Sequence, residues 1–453
     1  MRLAALEGRR VAVWGCGREG RAALAAIRAH LPQQALTLFC TADEAAAVRA
    51  DDIGLDLRTQ PPDADALAAF DVVVKSPGIS AYKPEVEAAR ARGTTFTSGT
   101  ALWFAENPGA RVVAVTGTKG KSTTSALIAH LARALGVRTA LAGNIGLPLL
   151  ELRDATAELW VIELSSFQTG EAGDIELGVV VNLYEEHLDW HGTRERYVAD
   201  KLKLADRART LLVDAGQPLL LERTAMHPHR ATFGAADGWH VAAGAIRRGD
   251  EVVFDLRGLP LPGAHNALNA CAALAALERV GLDARAAAPA LAGFQPLPHR
   301  LQALGERGER RWIDDSISTT PQATLAALRS LPADVPATLV VGGFERGLDW
   351  TAAAAALAAQ APHAIVAQGA NGQRIVAALR DAGLACALEY CNGLEAAVQR
   401  ARALTPPGGA IVLSPGAPSF DQFRDYAERG RRFADLAGFD GAAAGGIAGL
   451  GIA

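Results

Sequence analysis

The chain has 453 residues, half of them hydrophobic and 21% charged, which is the composition of a globular protein with an ample core. The formal net charge of −4 and the pI near 6.2 exclude bulk binding to nucleic acid. No apolar run approaches the ~20 residues that a membrane-spanning helix needs, and the N-terminus leads into a strand pattern without a signal peptide. The five cysteines form no CxxC pair, so we expect free thiols in a reducing cytoplasm.

Three strand patterns open the chain, and each ends in residues that are typical of a turn. The first is followed by GCGREG, which fits GxGxxG, and by a helical pattern (9–24); the others cover 35–45 and 70–80. Glycines at such a turn let a pyrophosphate approach the backbone amides of a helix N-terminus. The acidic residue that would bind a dinucleotide ribose is missing after the second strand, which ends in Cys40-Thr41. A nicotinamide cofactor is therefore disfavoured, whereas a nucleotide diphosphate bound in another way stays open.

The segment TGTKGKST (116–123) is the most specific motif, because a strand pattern precedes it and a helical pattern follows it. A full Walker A motif would have glycine where Val115 stands, but the shortened form keeps the working parts. Backbone amides of the loop can face phosphates, Lys121 can reach the β- and γ-phosphates, and Ser122 or Thr123 can ligate Mg²⁺. The alternative interpretation is a glycine-rich turn with an exposed lysine.

Polar residues follow two further strand patterns, at 159–164 and 178–184. Glu163 ends the first, at the edge where open α/β sheets bind ligands, and a carboxylate beside a phosphate loop commonly holds Mg²⁺. His187 follows the second among acidic neighbours, which fits a metal ligand, although a lone histidine is more often structural. Asn266 and Asn269 lie one helical turn apart, so they could bind one object such as an adenine edge or could cap a helix.

The last third of the chain continues the alternation, with strand patterns at 337–343, 363–368 and 409–414. Its strand ends are rich in glycine, serine and proline, and Arg346 offers a planar fork for a carboxylate. Alternating strands and helices predict an α/β fold with parallel sheets, and the length suggests about three domains of roughly 150 residues each. The tail (438–453) is rich in glycine, which disfavours a helix, and its composition indicates no role.

In order and spacing these motifs resemble the Mur ligases of peptidoglycan precursor synthesis over nearly the whole chain. The segments that carry the resemblance are SPGI, TGTKGKST, GNIGLP, ELSSFQ, EEH with the DKL after it, HNALNA, LPHR, the DDS strand end and SPGAPSFDQF. The resemblance implies a Rossmann-like UDP-sugar-binding domain (1–109), a central P-loop ATPase domain (110–297) and a Rossmann-like C-terminal glutamate-binding domain (298–453). It also implies ATP-dependent amide formation through an acyl phosphate, with Mg²⁺ as the second cofactor.

The same resemblance implies a role for each residue that matches a family motif. The catalytic residues would be Lys121, His187, Asn144 and a carbamylated Lys201, and the metal would be held by Ser122, Glu163, His187 and Lys201. ATP would be bound by Gly117, Thr118, Lys119, Gly120, Lys121, Ser122, Thr123, Asn266, Asn269, Arg300 and Asp315. The UDP substrate would be bound by Arg18, Glu19, Ser76, Pro77, Gly78 and Asn144, and glutamate would be bound by Thr319, Arg346, Ser419 and Tyr426.

Three positions depart from the pattern of the ligases that add D-glutamate. Ile317 stands where those ligases carry lysine, Arg346 replaces or supplements a lysine, and Tyr426 stands where phenylalanine is common. With the GLGIA tail, these features resemble the branch that adds L-glutamate to UDP-N-acetylmuramoyl-L-alanine, after which a separate epimerase inverts the new residue. The alternatives are the same reaction with D-glutamate, a folylpolyglutamate-synthase-like ligase, a non-catalytic nucleotide-binding protein and a dinucleotide-dependent oxidoreductase. We expect a cytoplasmic monomer with neither nucleic acid nor membrane among its partners.

Overall fold

The computed structural model folds into two compact units. The first unit contains residues 1–294 together with 449–453, and the second contains residues 295–448. The predicted domain boundaries, at 109/110 and 297/298, stay predictions. The residues that the structure describes are 1–48, 54–184, 188–261 and 263–453. His187, a predicted metal ligand, lies outside them.

A five-stranded parallel sheet begins the first unit, with the strand order β3-β2-β1-β4-β5. The apolar sequence VAVW makes β1 the buried centre of this sheet. The order reverses between β1 and β4, so the turns after these two strands lie side by side at a switch point, where open sheets bind ligands. The elements are β1 (Val11–Trp14), α1 (Arg18–His30), β2 (Leu36–Phe39), α2 (Ala42–Val48), β3 (Leu55–Arg58), α3 (Ala64–Ala68), β4 (Val72–Lys75), α4 (Pro84–Ala91), β5 (Thr95–Thr97) and α5 (Gly99–Glu106).

A second parallel sheet follows in the same unit, and a three-stranded antiparallel sheet, β12-β13-β14, accompanies it. The elements are β6 (Val112–Thr116), α6 (Lys121–Ala134), β7 (Thr139–Gly143), β8 (Leu159–Glu163), β9 (Ile175–Val180), α7 (Leu188–His191), α8 (Arg194–Leu202), β10 (Ala208–Asp214), α9 (Pro218–Arg223), β11 (Arg230–Phe233), β12 (Trp239–Ala242), β13 (Ala245–Arg248), β14 (Glu251–Asp255), α10 (Ala264–Arg279) and α11 (Ala284–Ala287). The parallel strands take the order β11-β10-β9-β6-β8-β7. The fully buried β6 lies between β8 and β9, so the segments that leave these three strands meet at one sheet edge.

The C-terminal tail extends this second sheet. Strand β21 (Gly451–Ile452) pairs antiparallel with β7, and the Ala453 carbonyl accepts a hydrogen bond of 2.9 Å from the Thr139 amide. The Arg133 guanidinium donates to the carbonyls of Gly449 (2.6 Å) and Gly451 (2.9 Å). Backbone pairing needs no apolar side chain, which is why composition alone did not indicate this strand.

The second unit contains a six-stranded sheet in the order β15-β16-β20-β17-β18-β19, parallel except for the β15–β16 pair. Its elements are β15 (Gln302–Arg307), β16 (Arg310–Asp314), α12 (Pro321–Arg329), β17 (Ala337–Val341), α13 (Thr351–Ala359), β18 (Ala364–Gln368), α14 (Gly372–Asp381), β19 (Ala387–Cys391), α15 (Leu394–Leu404), β20 (Ala410–Leu413), α16 (Tyr426–Ala437) and α17 (Gly441–Ala444). The predicted α/β fold with parallel sheets is therefore confirmed. Within the described ranges, no helix is long and apolar enough to cross a membrane.

Candidate active site

The predicted phosphate loop connects β6 to α6. Gly117 (φ 153°) and Gly120 (φ 78°) both take backbone conformations that favour glycine. A Cβ at Gly120 would also lie 2.6 Å from Oδ1 of Asn269, so Asn269 packs directly against the loop. Helix α6 begins without a side-chain cap, which leaves its first backbone amides available to an anion.

Asn182, a residue that the sequence analysis missed, holds this loop in place. Its Oδ1 accepts hydrogen bonds from the amides of Thr118 (3.1 Å) and Lys119 (2.9 Å), and its Nδ2 donates to the Lys119 carbonyl (3.0 Å). The Thr118 hydroxyl is also 2.7 Å from the hydroxyl of Tyr197. Asn182 follows β9 directly, so its place after the strand next to β6 was the available signal.

A cavity of about 180 Å³ lies beside the loop. Its lining residues are Gly117, Thr118, Lys121, Asn144, Ser165, Ser166, Phe167, Tyr197 and Lys201. Lys121 Nζ donates to the Thr118 carbonyl at 3.0 Å, and Lys201 Nζ donates to the Gly117 carbonyl at 2.9 Å. The structure therefore brings together five of the predicted site residues, from the turns after β6 and β7 and from α8.

Glu163 lies at the end of β8 next to this cavity and is 1% exposed. Its Oε1 accepts a hydrogen bond of 2.9 Å from Asn144 Nδ2, whereas its Oε2 has no partner among the residues that the structure describes. A buried carboxylate oxygen without a donor is costly unless a cation or a donor reaches it. Across the described part of the chain, no group of three or more His, Cys, Asp or Glu side chains forms a ready-made metal site.

Lys201 is almost fully buried, and its ammonium lies 4.9 Å from the ring centroid of Tyr197. The predicted carbamylation of this lysine stays a prediction. Burial in a protein favours the neutral form of an amine over the charged form. The neutral amine is the form from which a carbamate is made.

Ser166, His191 and Asp200 form a buried chain of hydrogen bonds that sequence analysis missed. Ser166 Oγ is 3.0 Å from His191 Nε2, and His191 Nδ1 is 2.7 Å from Asp200 Oδ2. Asp200 also accepts hydrogen bonds from Tyr82 and from Lys203, which lower the pKa of its carboxyl although burial opposes them. Burial lowers the pKa of His191, so its imidazole is neutral at pH 7. The sequence offered no direct signal, because the three residues are distant along the chain.

The predicted UDP-substrate residues lie at the switch point of the first sheet. The hydroxyl of Ser76, after β4, is 3.4 Å from the Gly15 carbonyl after β1. The indole of Trp190 donates to the Pro77 carbonyl at 3.2 Å, and Arg18 donates to the Gly146 carbonyl at 3.4 Å.

Glu19, also predicted for the UDP substrate, lies near two other carboxylates at the side of this turn. Burial raises the pKa of its carboxyl to about 7, with smaller contributions from Glu171 and Glu151. At neutral pH about half of the Glu19 side chains are protonated, so this position can donate a hydrogen bond as well as accept one. Its predicted contact with substrate stays a prediction.

The second unit contains another polar cluster at the ends of parallel strands. Asp315, 4% exposed, accepts hydrogen bonds from the hydroxyls of Ser318 and Ser414 and from the Leu301 amide. Burial raises the pKa of its carboxyl to about 6 although these donors oppose the shift. Asp315 was predicted to bind ATP, and in this unit its two oxygens are already used by its own neighbours. Nε of Arg300, another predicted ATP contact, has no partner.

Arg429 is the fully buried cation of this cluster. It donates to the carbonyls of Ser316 (2.8 Å), Ala417 (3.0 Å) and Pro418 (3.1 Å) and to the Ser316 hydroxyl (3.0 Å). These bonds join the turn after β16 to the turn after β20. Arg429 therefore holds two strand-end turns together, a role that the sequence did not indicate.

The predicted glutamate residues follow three neighbouring strands of the second sheet. Thr319 comes after β16, Ser419 after β20 and Arg346 after β17, which places all three at one sheet edge. Ser419 is buried and Arg346 is exposed. Tyr426 begins α16, and its carbonyl accepts a hydrogen bond of 2.7 Å from the Ser316 hydroxyl.

Known proteins resemble this chain over most of its length. Residues 115–277 match the Mur ligase middle domain, and residues 299–417 match the glutamate ligase domain of the Mur ligases. The chain is 52% identical to the UDP-N-acetylmuramoyl-L-alanine–L-glutamate ligase of Xanthomonas euvesicatoria pv. vesicatoria, over the full length of both chains. A ligase of the same name from Micromonospora sp. is 42% identical and covers 96% of this chain, with 98% of its own length matched.

Solved structures share the fold at low identity. The UDP-N-acetylmuramate-alanine ligase MurC of Thermotoga maritima has a TM-score of 0.60 at 19% identity, covering 94% of this chain and 98% of that one. The folylpolyglutamate synthase of Mycobacterium tuberculosis, complexed with ADP, has a TM-score of 0.59 at 16% identity, covering 76% and 93% of the two chains.

Proposed function

The chain belongs to the Mur ligase family and is an ATP-dependent amide ligase, and from that premise we propose that it adds L-glutamate to UDP-N-acetylmuramoyl-L-alanine. The curated relatives at 52% and 42% identity carry the name of that activity. The structural observation that supports it is the cavity beside the phosphate loop, which Lys121 and Lys201 line and next to which Glu163 keeps an unpartnered oxygen. Such a cavity suits several negative charges that meet at one point.

The chemistry follows from the weakness of a carboxylate as an acyl donor, because its oxygen is a poor leaving group. The alanine carboxylate of the UDP substrate attacks the γ-phosphorus of ATP, which gives an acyl phosphate and ADP. The amine of glutamate then attacks the acyl carbon, and phosphate leaves as the amide forms. The protein contributes positioning and charge stabilisation to both steps. In this proposal Lys121 neutralises charge on the phosphates, and the amides at the start of α6 donate hydrogen bonds to them.

Mg²⁺ belongs to the proposal as the second cofactor. The unpartnered Oε2 of Glu163 is the feature of this structure that fits a cation. Ser122 or Thr123 would add a hydroxyl ligand from the start of α6, and His187 and a carbamylated Lys201 are the further ligands that the family resemblance implies. The ion would neutralise charge on the ATP phosphates when bound.

The choice of L-glutamate depends on the second unit. Ile317 is half-buried and its amide donates to the His299 carbonyl, so at this position the turn offers an apolar side chain in place of a cation. The carboxylates of glutamate must then be bound by other residues, and our candidate for this role is the exposed Arg346. We further propose that a separate epimerase acts on the product, and that the enzyme works as a monomer in the cytoplasm, where ATP is supplied.

The proposal is tested by measuring ADP release with Mg²⁺-ATP and UDP-N-acetylmuramoyl-L-alanine, with L-glutamate or D-glutamate in separate reactions. We expect turnover with L-glutamate and a product whose mass is increased by one glutamyl residue. Turnover with D-glutamate alone would contradict the choice of L-glutamate, but it would leave the proposed ligase activity intact. No ADP release with either amino acid would overturn the assigned substrates.

A further inference from the structure

Ser166 connects the cavity to a buried chain of side chains. It lines the cavity with Lys121 and Lys201 and is 5% exposed. Behind it lie His191, with no exposed surface, and Asp200, which is 4% exposed. The two distances in this chain, 3.0 Å from Ser166 to His191 and 2.7 Å from His191 to Asp200, are those of good hydrogen bonds. Nothing in the ATP chemistry described above uses these three groups.

The direction of each hydrogen bond is fixed by the groups around Asp200. Its Oδ1 accepts from the hydroxyl of Tyr82 and from Lys203 Nζ, both at 2.6 Å, which holds the carboxylate ionised. An ionised carboxylate can only accept, so Nδ1 of His191 carries the proton that it donates to Oδ2. Nε2 of the neutral ring is then an acceptor, and the Ser166 hydroxyl must donate to it. The oxygen of Ser166 is left with acceptor capacity only.

An acceptor at this point contrasts with Lys121 in the same cavity, whose side chain ends only in donors. Lys121 suits the anionic groups of the reaction, which are phosphate and carboxylate. An oxygen that can only accept suits a group that brings N–H bonds to the reacting carbon. In the proposed reaction that group is the amine that attacks the acyl phosphate.

We propose that Ser166 Oγ accepts a hydrogen bond from the incoming amino group and orients it toward the acyl carbon, while His191 and Asp200 act as positioning residues that fix the Ser166 hydroxyl. The inference deepens the proposed ligase activity and depends on it. The alignment of the amine matters because attack requires its lone pair to face the acyl carbon at close range. No bond to Ser166 forms or breaks in this role.

The segment after β4 also supports this arrangement. Tyr82 belongs to the segment after β4 that the UDP substrate is predicted to contact, and it holds Asp200 directly. The Ser80 hydroxyl from the same segment donates to the Trp190 carbonyl at 2.9 Å, next to His191. Hydrogen bonds thus connect the segment after β4 to His191 and Asp200, the residues that we propose to position Ser166.

The test separates the two halves of the reaction. The first half is measured without glutamate, with hydroxylamine present to trap the acyl phosphate as a hydroxamate. The second is measured as amide formation with glutamate. For Ser166→Ala we expect hydroxamate formation within about twofold of the wild type, and amide formation slower by about 10- to 100-fold, with a raised KM for glutamate but not for ATP.

Companion variants distinguish this role from a structural one. Ser166→Thr keeps the hydroxyl and should restore most of the amide formation. Asp200→Asn can turn the imidazole so that Nε2 donates, and it should impair the same half-reaction as Ser166→Ala. Ser330→Ala is the matched control, because its hydroxyl only donates to the Ala327 carbonyl in its own helix.

Three results would overturn the inference. These are an equal loss of both half-reactions in Ser166→Ala, no loss of either, or a raised KM for the UDP substrate in place of glutamate. Absence of hydroxamate with the wild-type enzyme would be a different failure. It would overturn the acyl-phosphate mechanism itself, and the inference would fall with it.

Discussion

The cavity of the first unit and the polar cluster of the second unit have the same architecture, but their buried carboxylates differ in how many hydrogen bonds they accept. Both place a buried carboxylate at the end of a parallel strand, Glu163 after β8 and Asp315 after β16. Asp315 receives three hydrogen bonds from its own unit, whereas one oxygen of Glu163 receives none. A buried polar residue at a strand end can therefore belong either to a binding site or to the framework, by which we mean the side chains that hold the turns in place. A residue with unused hydrogen-bonding capacity belongs to the first class, and one whose capacity is fully used belongs to the second.

The same criterion divides the predicted ATP residues of the second unit. Asp315 is a structural centre for the turns around it, while Arg300 Nε and His299 Nε2 keep unused capacity. We therefore expect Arg300 to be the group that reaches a nucleotide and Asp315 to hold the turn that presents it. Arg429 belongs to the framework as well, since four hydrogen bonds use its guanidinium.

The largest effect should come from Lys121→Ala. If Lys121 neutralises charge on the transferred phosphoryl group as proposed, its loss should lower kcat for ADP release by about 10³-fold or more. The control is Arg257→Ala, which removes a cation from an exposed ion pair with Asp255 at 2.5 Å. A Lys121→Ala enzyme as active as Arg257→Ala would contradict the assignment of this cavity.

Arg429→Met should destabilise the protein without any direct effect on the cavity. It removes the donor of the buried Ser316 and Ala417 carbonyls, while the Pro418 carbonyl keeps the Phe344 amide, so we expect the free energy of unfolding to fall by about 3–5 kcal/mol. Denaturant unfolding measures this, with Arg432→Met as the control, because Arg432 forms only an exposed ion pair with Glu395 at 3.3 Å. Equal stability of the two variants would show that Arg429 does not hold the turns of the second unit together.

Glu163→Gln should act in the opposite way, on activity and little on stability. The amide keeps an acceptor for Asn144 but removes the negative charge that fits a cation, so we expect kcat to fall by about 10²-fold and the Mg²⁺ concentration for half-maximal activity to rise. Activity against Mg²⁺ concentration, alongside thermal unfolding, checks both parts. An unchanged Mg²⁺ requirement would remove Glu163 from the metal site.

The smallest effect is a pH dependence of stability due to Asp315. Its folded pKa of about 6 lies above the usual 3.8, so its contribution to stability is complete below about pH 4 and is lost as pH rises through 6. Relative to Asp315→Asn, the wild type should lose about 3 kcal/mol at most between pH 4 and 7. Denaturant midpoints of both proteins across this range measure the difference, and parallel curves would contradict the raised pKa.

The sequence predicted the parts of the site that depend on local pattern. The turn after β6 needs glycine at two positions, and Glu163 follows an apolar strand, so both could be recognised from neighbouring residues. Ser166, His191 and Asp200 could not, since their contacts join three separate segments. The tail strand was missed for a related reason, because its pairing with β7 uses backbone groups that every sequence has.

The roles in the second unit were harder to predict, because residue type does not show whether a side chain is already satisfied. Asp315 and Glu163 are alike in the sequence, since each is an acidic residue at the end of a strand. The hydroxyls of Ser318 and Ser414 and the Leu301 amide make Asp315 part of the framework, and the donors from Ser414 and Leu301 come from other segments.

The most direct test of the central claim follows the oxygen atoms of the reaction. UDP-N-acetylmuramoyl-L-alanine with ¹⁸O in its alanine carboxylate is turned over with unlabelled ATP and L-glutamate, and the released phosphate is analysed by mass spectrometry. If the cavity activates the carboxylate as an acyl phosphate, one labelled oxygen should appear in phosphate for each amide formed. Phosphate without label would mean that the carboxylate never attacks the γ-phosphorus, and would contradict the account.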